Sequence, residues 1–440
     1  MLDHVVVVGG GFAGLAAAYE LSRLDVRVTL LEQDPDLGGL AGCFRVSGQR
    51  LEKFYHHWFT TDRDIAALIE ELGCGDHIVY RPTRTGTYHR KRVFSLSSPT
   101  DVARFTALNV PDRLRLGLMV LKVRRTKDWQ DLERLTAEDW LQEMAGQRVY
   151  RVLWEPLLRG KFGPLAPEVS AVWMWNKLKL RGGSRGRGGH EILGYYRGGF
   201  AALAERIGEE IVRRGGSIQP STTVTGIVVR GNRLRGVETT NGALEADAVI
   251  FTPALPIVSQ LLGRQVCEGY VARLQSIKYL ANVCLVLEMD RSLSDTYWLN
   301  VGDPSFPFVG VIEHTNFEAA STYGQRRIVY LSKYMPHNDK LYQLDDQAYL
   351  DYCIPYLQQM FPVFDRSWIL DFHVWRAPYA QPVVVRNYSR LLPPVEMPLE
   401  GGYLCTMAQI YPEDRGTNYA VRAGRAVART VARALEDRHV

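Results

Sequence analysis

The stretch from Val5 to Gly14, VVVVGGGFAG, constrains the fold more than any other part of this sequence. Four consecutive valines predict a strand that is buried on both faces, as in a parallel sheet covered by helices. Gly9, Gly11 and Gly14 follow with G-x-G-x-x-G spacing, and the Ala- and Leu-rich run over residues 15–24 predicts a helix. Such glycines allow, in that order, a tight turn, close approach of the backbone to a pyrophosphate and close packing of helix on strand. Because a helix N-terminus also offers free N–H groups to phosphate, the pattern predicts a dinucleotide site.

A second buried strand is predicted over residues 26–31, VRVTLL, and it ends at Glu32. Glu32 lies 18 residues beyond Gly14, close to the spacing of about 20 residues for a carboxylate that binds a ribose 2′-hydroxyl. The alternative is a glycine-rich turn without a ligand, and the complete strand–helix–strand unit argues against it. An acid at this position favours FAD or NAD, whose ribose carries no phosphate, over NADP.

The next segment, QDPDLGGLAG over residues 33–42, contains a second glycine pair, Gly38 and Gly39. It resembles the corresponding segment of the FAD-binding amine oxidase, protoporphyrinogen oxidase and phytoene desaturase superfamily, where the pair passes against the diphosphate and the flavin. The resemblance implies FAD as the cofactor. The superfamily usually has an arginine directly after the pair, whereas this chain has Leu40. The FAD contacts expected in this part of the chain are Gly9, Gly11, Phe12, Ala13, Gly14, Glu32, Gln33, Gly38, Gly39, Leu40 and Ala41.

The fold class expected from these features is α/β, with a Rossmann-like FAD-binding domain and a mixed α+β substrate-binding or cap domain. The FAD-binding domain is expected to be discontinuous, comprising residues 1–73, 195–253 and 401–440. The cap domain would comprise residues 74–194 and 254–400, with the site between the two domains. The middle FAD piece predicts an amphipathic helix over residues 201–214 and short strands after it. By resemblance, a backbone group near Val224 meets the adenine.

The last FAD piece predicts a strand over residues 402–406, a loop over 411–418 and a helix from Asn418 to Leu435, with Thr417 or Asn418 as the N-cap. In the superfamily this helix points its N-terminus at the flavin pyrimidine, where N–H groups stabilise the negative charge of the reduced ring. The usual A-G-D motif is replaced by TMA at residues 406–408, so the acidic contact is expected from Glu413 or Asp414. The contacts expected here are Glu413, Asp414, Gly416, Thr417 and Asn418.

Two adjacent histidines, His56 and His57, follow in the segment KFYHHWFTT over residues 53–61. The segment resembles the flavin-contacting segment of UDP-galactopyranose mutases, in which a histidine lies against the flavin face, and His57 takes that position. A neutral imidazole there would relay a proton or hydrogen-bond the flavin. The alternative is a histidine in an aromatic core, satisfied by a backbone carbonyl. His57 and His56 are the candidate catalytic residues.

Residues 181–189, RGGSRGRGG, form the one compositionally biased segment of the chain. It is either a solvated, flexible basic loop or an anion clamp in which Arg181, Arg185 and Arg187 capture a phosphate or diphosphate. An RNA-binding function is disfavoured because the segment is short and lies inside a folded enzyme. Two further segments, residues 313–317 and 376–382, mix polar and aromatic residues. Their polar side chains either hydrogen-bond to backbone groups at strand ends or line a pocket, and the pocket candidates are His314, Asn316, Tyr379 and Gln381.

The run from Arg104 to Arg125 combines leucines with arginines and lysines. One interpretation is a cap helix with one packed face, and the other is an interfacial helix that lies on anionic lipid.

Composition limits the classes of binding partner and the cellular compartments that fit this chain. The chain has 440 residues and a net charge of +5, too little to favour nucleic acid as a partner. Its six cysteines show no metal-binding spacing, so we expect no metal and interpret them as buried core thiols in a reducing cytosol. The sequence predicts no signal peptide, and no apolar run reaches the ~20 residues that span a bilayer. A cytoplasmic location follows, with membrane contact at most peripheral.

The function expected is that of an FAD-dependent oxidoreductase. It would pass hydride or electrons between non-covalently bound FAD and a small or lipid-linked organic substrate, with a phosphate or diphosphate as the expected anionic group. The first alternative is a redox-neutral mutase or isomerase that acts on a nucleotide sugar, and the second is a non-catalytic flavoprotein. Net oxidation or reduction of the substrate at turnover separates the oxidoreductase from the mutase or isomerase. Absence of turnover supports the non-catalytic flavoprotein.

Overall fold

The computed structural model describes residues 3–95, 99–126, 128–184, 186 and 191–438. The strands are β1 (His4–Val8), β2 (Arg27–Leu31), β3 (Cys43–Val46), β4 (Gln49–Glu52), β5 (Trp58–Phe59), β6 (Ile78–Thr83), β7 (Thr85–His89), β8 (Arg92–Ser95), β9 (Glu191–Tyr196), β10 (Ser217–Gln219), β11 (Val224–Arg230), β12 (Arg233–Thr239), β13 (Gly242–Glu245), β14 (Ala248–Phe251), β15 (Tyr279–Met289), β16 (Trp298–Val301), β17 (Gly310–Glu313), β18 (Arg327–Met335), β19 (Ile369–Pro382) and β20 (Gly402–Leu404). The helices are α1 (Phe12–Arg23), α2 (Arg63–Glu71), α3 (Pro99–Arg104), α4 (Val110–Arg125), α5 (Ala137–Ala145), α6 (Gln147–Val149), α7 (Glu155–Phe162), α8 (Ala171–Gly183), α9 (Gly199–Arg213), α10 (Leu255–Leu262), α11 (Glu268–Ser276), α12 (Asp346–Met360) and α13 (Thr417–Glu436).

A parallel sheet with the order β10-β2-β1-β14-β20 organises one half of the fold. Its strands come from three separate parts of the sequence, each of which belongs to one of the three predicted FAD pieces. The four valines of β1 are buried, as the absence of polar alternation predicts. Helices α1 and α13 pack together so closely that a side chain at Gly424 would collide with the carbonyl oxygen of Ala13.

A second, larger sheet has seven strands in the order β19-β15-β18-β17-β16-β7-β8. It is mixed, because β16 pairs with β7 in parallel while the other neighbours pair antiparallel. Smaller sheets are formed by β11-β12-β13, by β5-β9-β6 and by the hairpin β3-β4. Helices α3 to α8 occupy most of residues 99–183. The architecture is therefore a parallel α/β half joined to a mixed sheet with helices, as expected, while the residue boundaries of the two domains stay a prediction.

The expected N-cap of the last helix is wrong. The N-cap of α13 is Gly416, not Thr417 or Asn418, because both of those residues already lie inside the helix. The Asn418 side chain instead accepts a hydrogen bond from Ile65 N–H at 3.0 Å in the first turn of α2.

The cysteines also differ from the expectation of buried thiols. All six are free, and Cys284, Cys353 and Cys405 are buried. Cys267 is exposed, whereas Cys43 and Cys74 are partly exposed. Among the described residues, none of the helices combines the length and the apolar composition that crossing a lipid bilayer requires.

Candidate functional site

The turn between β1 and α1 is built for glycine. Gly9 has a φ of 102°, a backbone conformation that other residues rarely adopt. A side chain at Gly14 would collide with the carbonyl oxygen of Gly9, so the first turn of α1 is packed directly against the end of β1. The N-terminus of α1, with its free N–H groups, is thereby held at the C-terminal end of β1, the central strand of the parallel sheet.

The second glycine pair lies directly against this turn. Gly38 N–H donates to the carbonyl oxygen of Gly10 at 2.9 Å. A Cβ atom added to Gly11 would meet only the Cα atom of Gly39, at 3.9 Å, and otherwise open space. Backbone from two segments therefore encloses a cradle without side chains at the N-terminus of α1. A diphosphate needs this kind of surface, so the residues present fit a dinucleotide such as FAD.

Glu32 lies at the end of β2 beside the cradle. Its carboxylate accepts hydrogen bonds from Gly10 N–H at 2.6 Å and from Asp34 N–H at 2.9 Å. Burial raises the pKa of this carboxyl group above its usual range. The Glu32 carbonyl oxygen binds Thr222 N–H, which brings the start of β11, where Val224 lies, close to the same edge of the sheet. The neighbouring predicted contacts are buried at Phe12 and Ala41, partly exposed at Ala13 and Leu40, and exposed at Gln33.

The loop before α13 places its two acids in different surroundings. Glu413 forms an ion pair with Arg422 at 2.8 Å. Asp414 is buried and lies 2.5 Å from the Lys177 ammonium. Burial opposes ionisation of Asp414, but the nearby Lys177 and Lys161 charges lower the pKa of this carboxyl group well below its usual range. Both acids are thus engaged by cations of the protein, and their predicted contact with a flavin stays a prediction.

His57 and His56 differ in their hydrogen bonds. His57 Nδ1 lies 3.0 Å from the hydroxyl oxygen of Tyr297, and the imidazole packs edge-on against Trp298. His56 Nδ1 lies 2.5 Å from the carbonyl oxygen of Phe54. Burial lowers the pKa of His57 to about 3, helped by the Arg181 charge, and burial lowers the pKa of His56 to about 4. Both imidazoles are therefore neutral at physiological pH.

Four cations lie close enough together for their charges to interact, and we call Lys161, Lys177, Arg181 and Arg415 the basic cluster. The charges of Arg181 and Lys177 also act on His57. Arg181 lies over the Trp298 ring, 5.7 Å from its centroid. Arg415 donates to the Tyr334 hydroxyl at 2.8 Å. The Lys161 ammonium lies 4.9 Å from the ring centroids of both Trp173 and Tyr334.

Lys161 is the member of the basic cluster that sequence reasoning missed. Burial lowers the pKa of its ammonium well below the usual range, and the other three cations lower it further. The site concentrates positive charge against aromatic walls, and an anion placed there would relieve this repulsion. No local spacing in the sequence indicates Lys161, because the groups in contact come from separate elements: Lys161 from α7, Trp173 from α8 and Tyr334 from β18.

The remaining predicted site residues are divided by the structure. Gln381 contacts the basic cluster, because its side-chain oxygen accepts a hydrogen bond from Arg415 at 3.1 Å. His314 is buried and lies 2.9 Å from the Tyr323 hydroxyl, within a group of aromatic rings. Asn316 donates to two backbone carbonyls, and the Tyr379 ring packs edge-on against Tyr279. Arg185 and Arg187 lie outside the described residues.

The fold and the glycine cradle define a protein that binds a dinucleotide. Residues 12–432 match the model of the flavin containing amine oxidoreductase family. The chain belongs to this family, and FAD is its cofactor.

Individual relatives agree with the family assignment. The chain is 29% identical over 178 residues to a coproporphyrinogen III oxidase of Propionibacterium freudenreichii, covering 38% of this chain and 33% of the relative. It is 27% identical over 299 residues to a phytoene dehydrogenase of Streptomyces griseus, covering 60% and 56%. The matched region thus spans about a third to just over half of these relatives. The structure of reduced UDP-galactopyranose mutase superposes with a TM-score of 0.76 at 15% identity, covering 98% and 95% of the two chains, which shows a shared fold.

Proposed function

We propose that this enzyme transfers hydride or electrons between non-covalently bound FAD and an anionic organic substrate, whose phosphate or diphosphate group lies at the basic cluster. The observation that carries the proposal is the excess of positive charge beside His57. Lys161, Lys177, Arg181 and Arg415 lie there, and the carboxylate of Asp414, paired with Lys177, offsets part of their charge. Arginine and lysine in a partly buried site are typical of phosphate recognition.

The cofactor-binding residues have distinct tasks in this proposal. Backbone N–H groups at the start of α1, with Gly11 and Gly39, would hold the diphosphate, and Glu32 would bind the ribose hydroxyls. The first N–H groups of α13 would face the pyrimidine edge of the ring. When bound, the flavin supplies a two-electron acceptor or donor, chemistry that no side chain provides.

His57 would lie beside the flavin ring as a neutral imidazole. Tyr297 holds one ring nitrogen, and the other nitrogen, which has no hydrogen-bond partner in the described part of the chain, can donate or accept a hydrogen bond toward the cofactor or the substrate. Because the pKa of His57 is about 3, the imidazole cannot act as a stored acid at neutral pH, and it would hold or pass a proton only transiently.

The second candidate is a redox-neutral mutase or isomerase acting on a nucleotide sugar. The histidine segment and the shared fold with UDP-galactopyranose mutase favour it. A basic cluster would serve such a diphosphate substrate equally well. Curated relatives named as oxidases and dehydrogenases favour the oxidoreductase. The free cysteines suit the reducing cytoplasm that we propose as its location.

The test uses the oxidised holoprotein under anaerobic conditions and the anionic and neutral fractions of a cell extract. The anionic fraction should bleach the flavin absorbance, and the neutral fraction should not. Bleaching by the neutral fraction alone would contradict the anionic substrate. If the reduced holoprotein converts a compound of the anionic fraction into an isomer while its flavin stays reduced, the mutase is the correct function.

Lys161→Met and Arg181→Gln should keep their FAD and require higher concentrations of the purified substrate for half-maximal bleaching, by about tenfold or more each. Exposed Arg84→Gln is the matched control. An unchanged concentration dependence in both variants would show that the basic cluster does not bind the substrate.

A further inference from the structure

The outer face of α4 carries a row of exposed large apolar side chains. Val110, Leu114, Leu118 and Leu121 are 63%, 65%, 61% and 51% exposed. With about 100° of rotation per residue, these four side chains fall within about 80° of the helix circumference. Single exposed leucines are ordinary, but a contiguous row of them marks an interaction surface.

The opposite face already accounts for the packing of this helix. Leu116, Met119 and Val123 are buried and lie about 180–240° from Val110 around the axis. The prediction of a packed cap helix therefore describes the inner face, and the outer row is not needed to hold α4 in place.

Positive charge flanks the outer row. Arg115 and Lys122 are exposed on one side of it, Arg113 lies on the other side, and Arg125 is exposed at its C-terminal end. The one acid of the helix, Asp112, is buried with a side-chain exposure of 5% and ion-paired to Arg115 and Arg148. The described charges that this helix presents to solvent are thus basic.

The β7–β8 turn carries two further cations. Arg90 and Lys91 have φ values of 49° and 62°, a left-handed conformation that turns of this kind usually assign to Gly or Asn. Strand β8, which follows the turn, contacts the segment that leads into α4, because the Phe94 and Phe105 rings pack edge-on with centroids 4.9 Å apart. Two long basic side chains thus replace the residues that the backbone favours.

We propose that the outer face of α4 docks on an anionic lipid bilayer. The row of apolar side chains would enter the boundary between headgroups and acyl chains, and the Lys and Arg residues on its flanks would contact anionic headgroups, while the inner face of α4 stays packed on the protein. Anionic headgroups supply the complementary charge, whereas an acidic protein surface would not require an unbroken apolar row. This inference is independent of the proposed substrate, and it would place the enzyme where a lipid-linked substrate is held.

The experiment is cosedimentation of the FAD-loaded protein with vesicles of equal parts phosphatidylglycerol and phosphatidylcholine, compared with pure phosphatidylcholine vesicles. The wild type should sediment with the mixed vesicles and be released by high salt. Leu114→Gln/Leu118→Gln should bind at least about tenfold more weakly. Val363→Gln/Leu370→Gln removes two equally apolar side chains that are 75% and 54% exposed elsewhere, and it should bind like the wild type.

Arg115→Gln/Lys122→Gln/Arg125→Gln should lose the preference for anionic vesicles. FAD content and thermal unfolding of every variant establish that it is folded. Absence of wild-type binding to the mixed vesicles, or equal binding by the Leu114/Leu118 variant, would overturn the inference. So would a lipid-free dimer that dissociates on the same two substitutions, because the outer row would then be covered by a second copy of the chain.

Discussion

The imidazole of His57 and the hydroxyl group of Tyr297 are joined by a hydrogen bond of 3.0 Å across 240 residues of sequence. Tyr297 is buried, and burial raises the pKa of its phenol far above neutrality, so it stays protonated. The bond fixes the orientation of the imidazole ring between Phe59 and Trp298. Tyr297 is therefore a positioning residue for His57.

Replacing His57 tests its predicted place beside the flavin. His57→Ala should retain FAD, because the diphosphate cradle is unaffected, and should shift the midpoint potential or change the rate of flavin reduction by about tenfold. Tyr297→Phe keeps the imidazole and frees its orientation, so it should show a smaller change in the same direction. Potentials and reduction rates of both variants equal to the wild type would place His57 away from the ring.

The glycine cradle makes a sharp prediction for Gly11. Gly11→Val should fold but not bind FAD, because its side chain would point into the open space where the diphosphate is expected. Gly269→Val is the matched control: a Cβ atom there meets nothing within 4 Å, and Gly269 lies on α11, outside the cradle. The measurements are circular dichroism for folding and acid release for flavin content. A yellow Gly11→Val protein with full FAD content would contradict the predicted position of the diphosphate.

Docking of α13 on α1 depends on Glu20. This buried carboxylate accepts hydrogen bonds from Arg425 at 2.9 Å and Arg429 at 2.7 Å. Glu20→Ala should lower the free energy of unfolding by about 3 kcal/mol, since it leaves the partly buried Arg425 with one carboxylate partner, Glu71. Denaturant unfolding of the holoprotein measures the loss. Exposed Glu436→Ala on α13 provides the comparison, and an equal effect of both changes would show that the network adds nothing.

The sequence predicted those parts of the fold that depend on local spacing. The valine strand, the glycine turn and the helix after it are contiguous, so each glycine can be assigned a task without knowledge of the rest of the chain. The same holds for β2 and Glu32, which follow at a fixed distance. The N-cap of α13 was missed although it is local, because Asn418 instead binds a distant N–H group, that of Ile65.

The basic cluster could not be predicted in this way. Lys161, Arg181 and Arg415 come from α7, α8 and the loop before α13, and their contact depends on how these elements pack. Arg181 could be predicted as a candidate because it begins a glycine-rich basic segment, whereas Lys161 lies in an ordinary helical sequence. Its only distinguishing property is the set of rings around it, contributed by Trp173, Tyr334 and Phe162.

Asp62 gives the folded protein a specific pH dependence. One carboxylate oxygen accepts from Phe59 N–H at 2.8 Å, while the other is buried without a partner among the described residues. Burial raises the pKa of this group to about 6, opposed in part by the Phe59 hydrogen bond and the Lys177 charge. The folded state therefore holds this proton more tightly than the unfolded chain, whose Asp pKa is about 4. The contribution of Asp62 to stability is full below pH ~4 and is lost as the pH rises to about 6.

Asp62→Asn removes this titration and keeps an oxygen acceptor for Phe59 N–H. The difference in unfolding free energy between variant and wild type should shift in favour of the variant by about 2–3 kcal/mol between pH 4 and pH 7. The buried histidines oppose this trend in both proteins, because the low pKa values of His56 and His57 weaken the fold as the pH falls. Taking the difference at each pH cancels their contribution, and exposed Asp128→Asn serves as the control. A difference that stays constant from pH 4 to pH 7 would show that the Asp62 carboxylate is solvated in the folded protein.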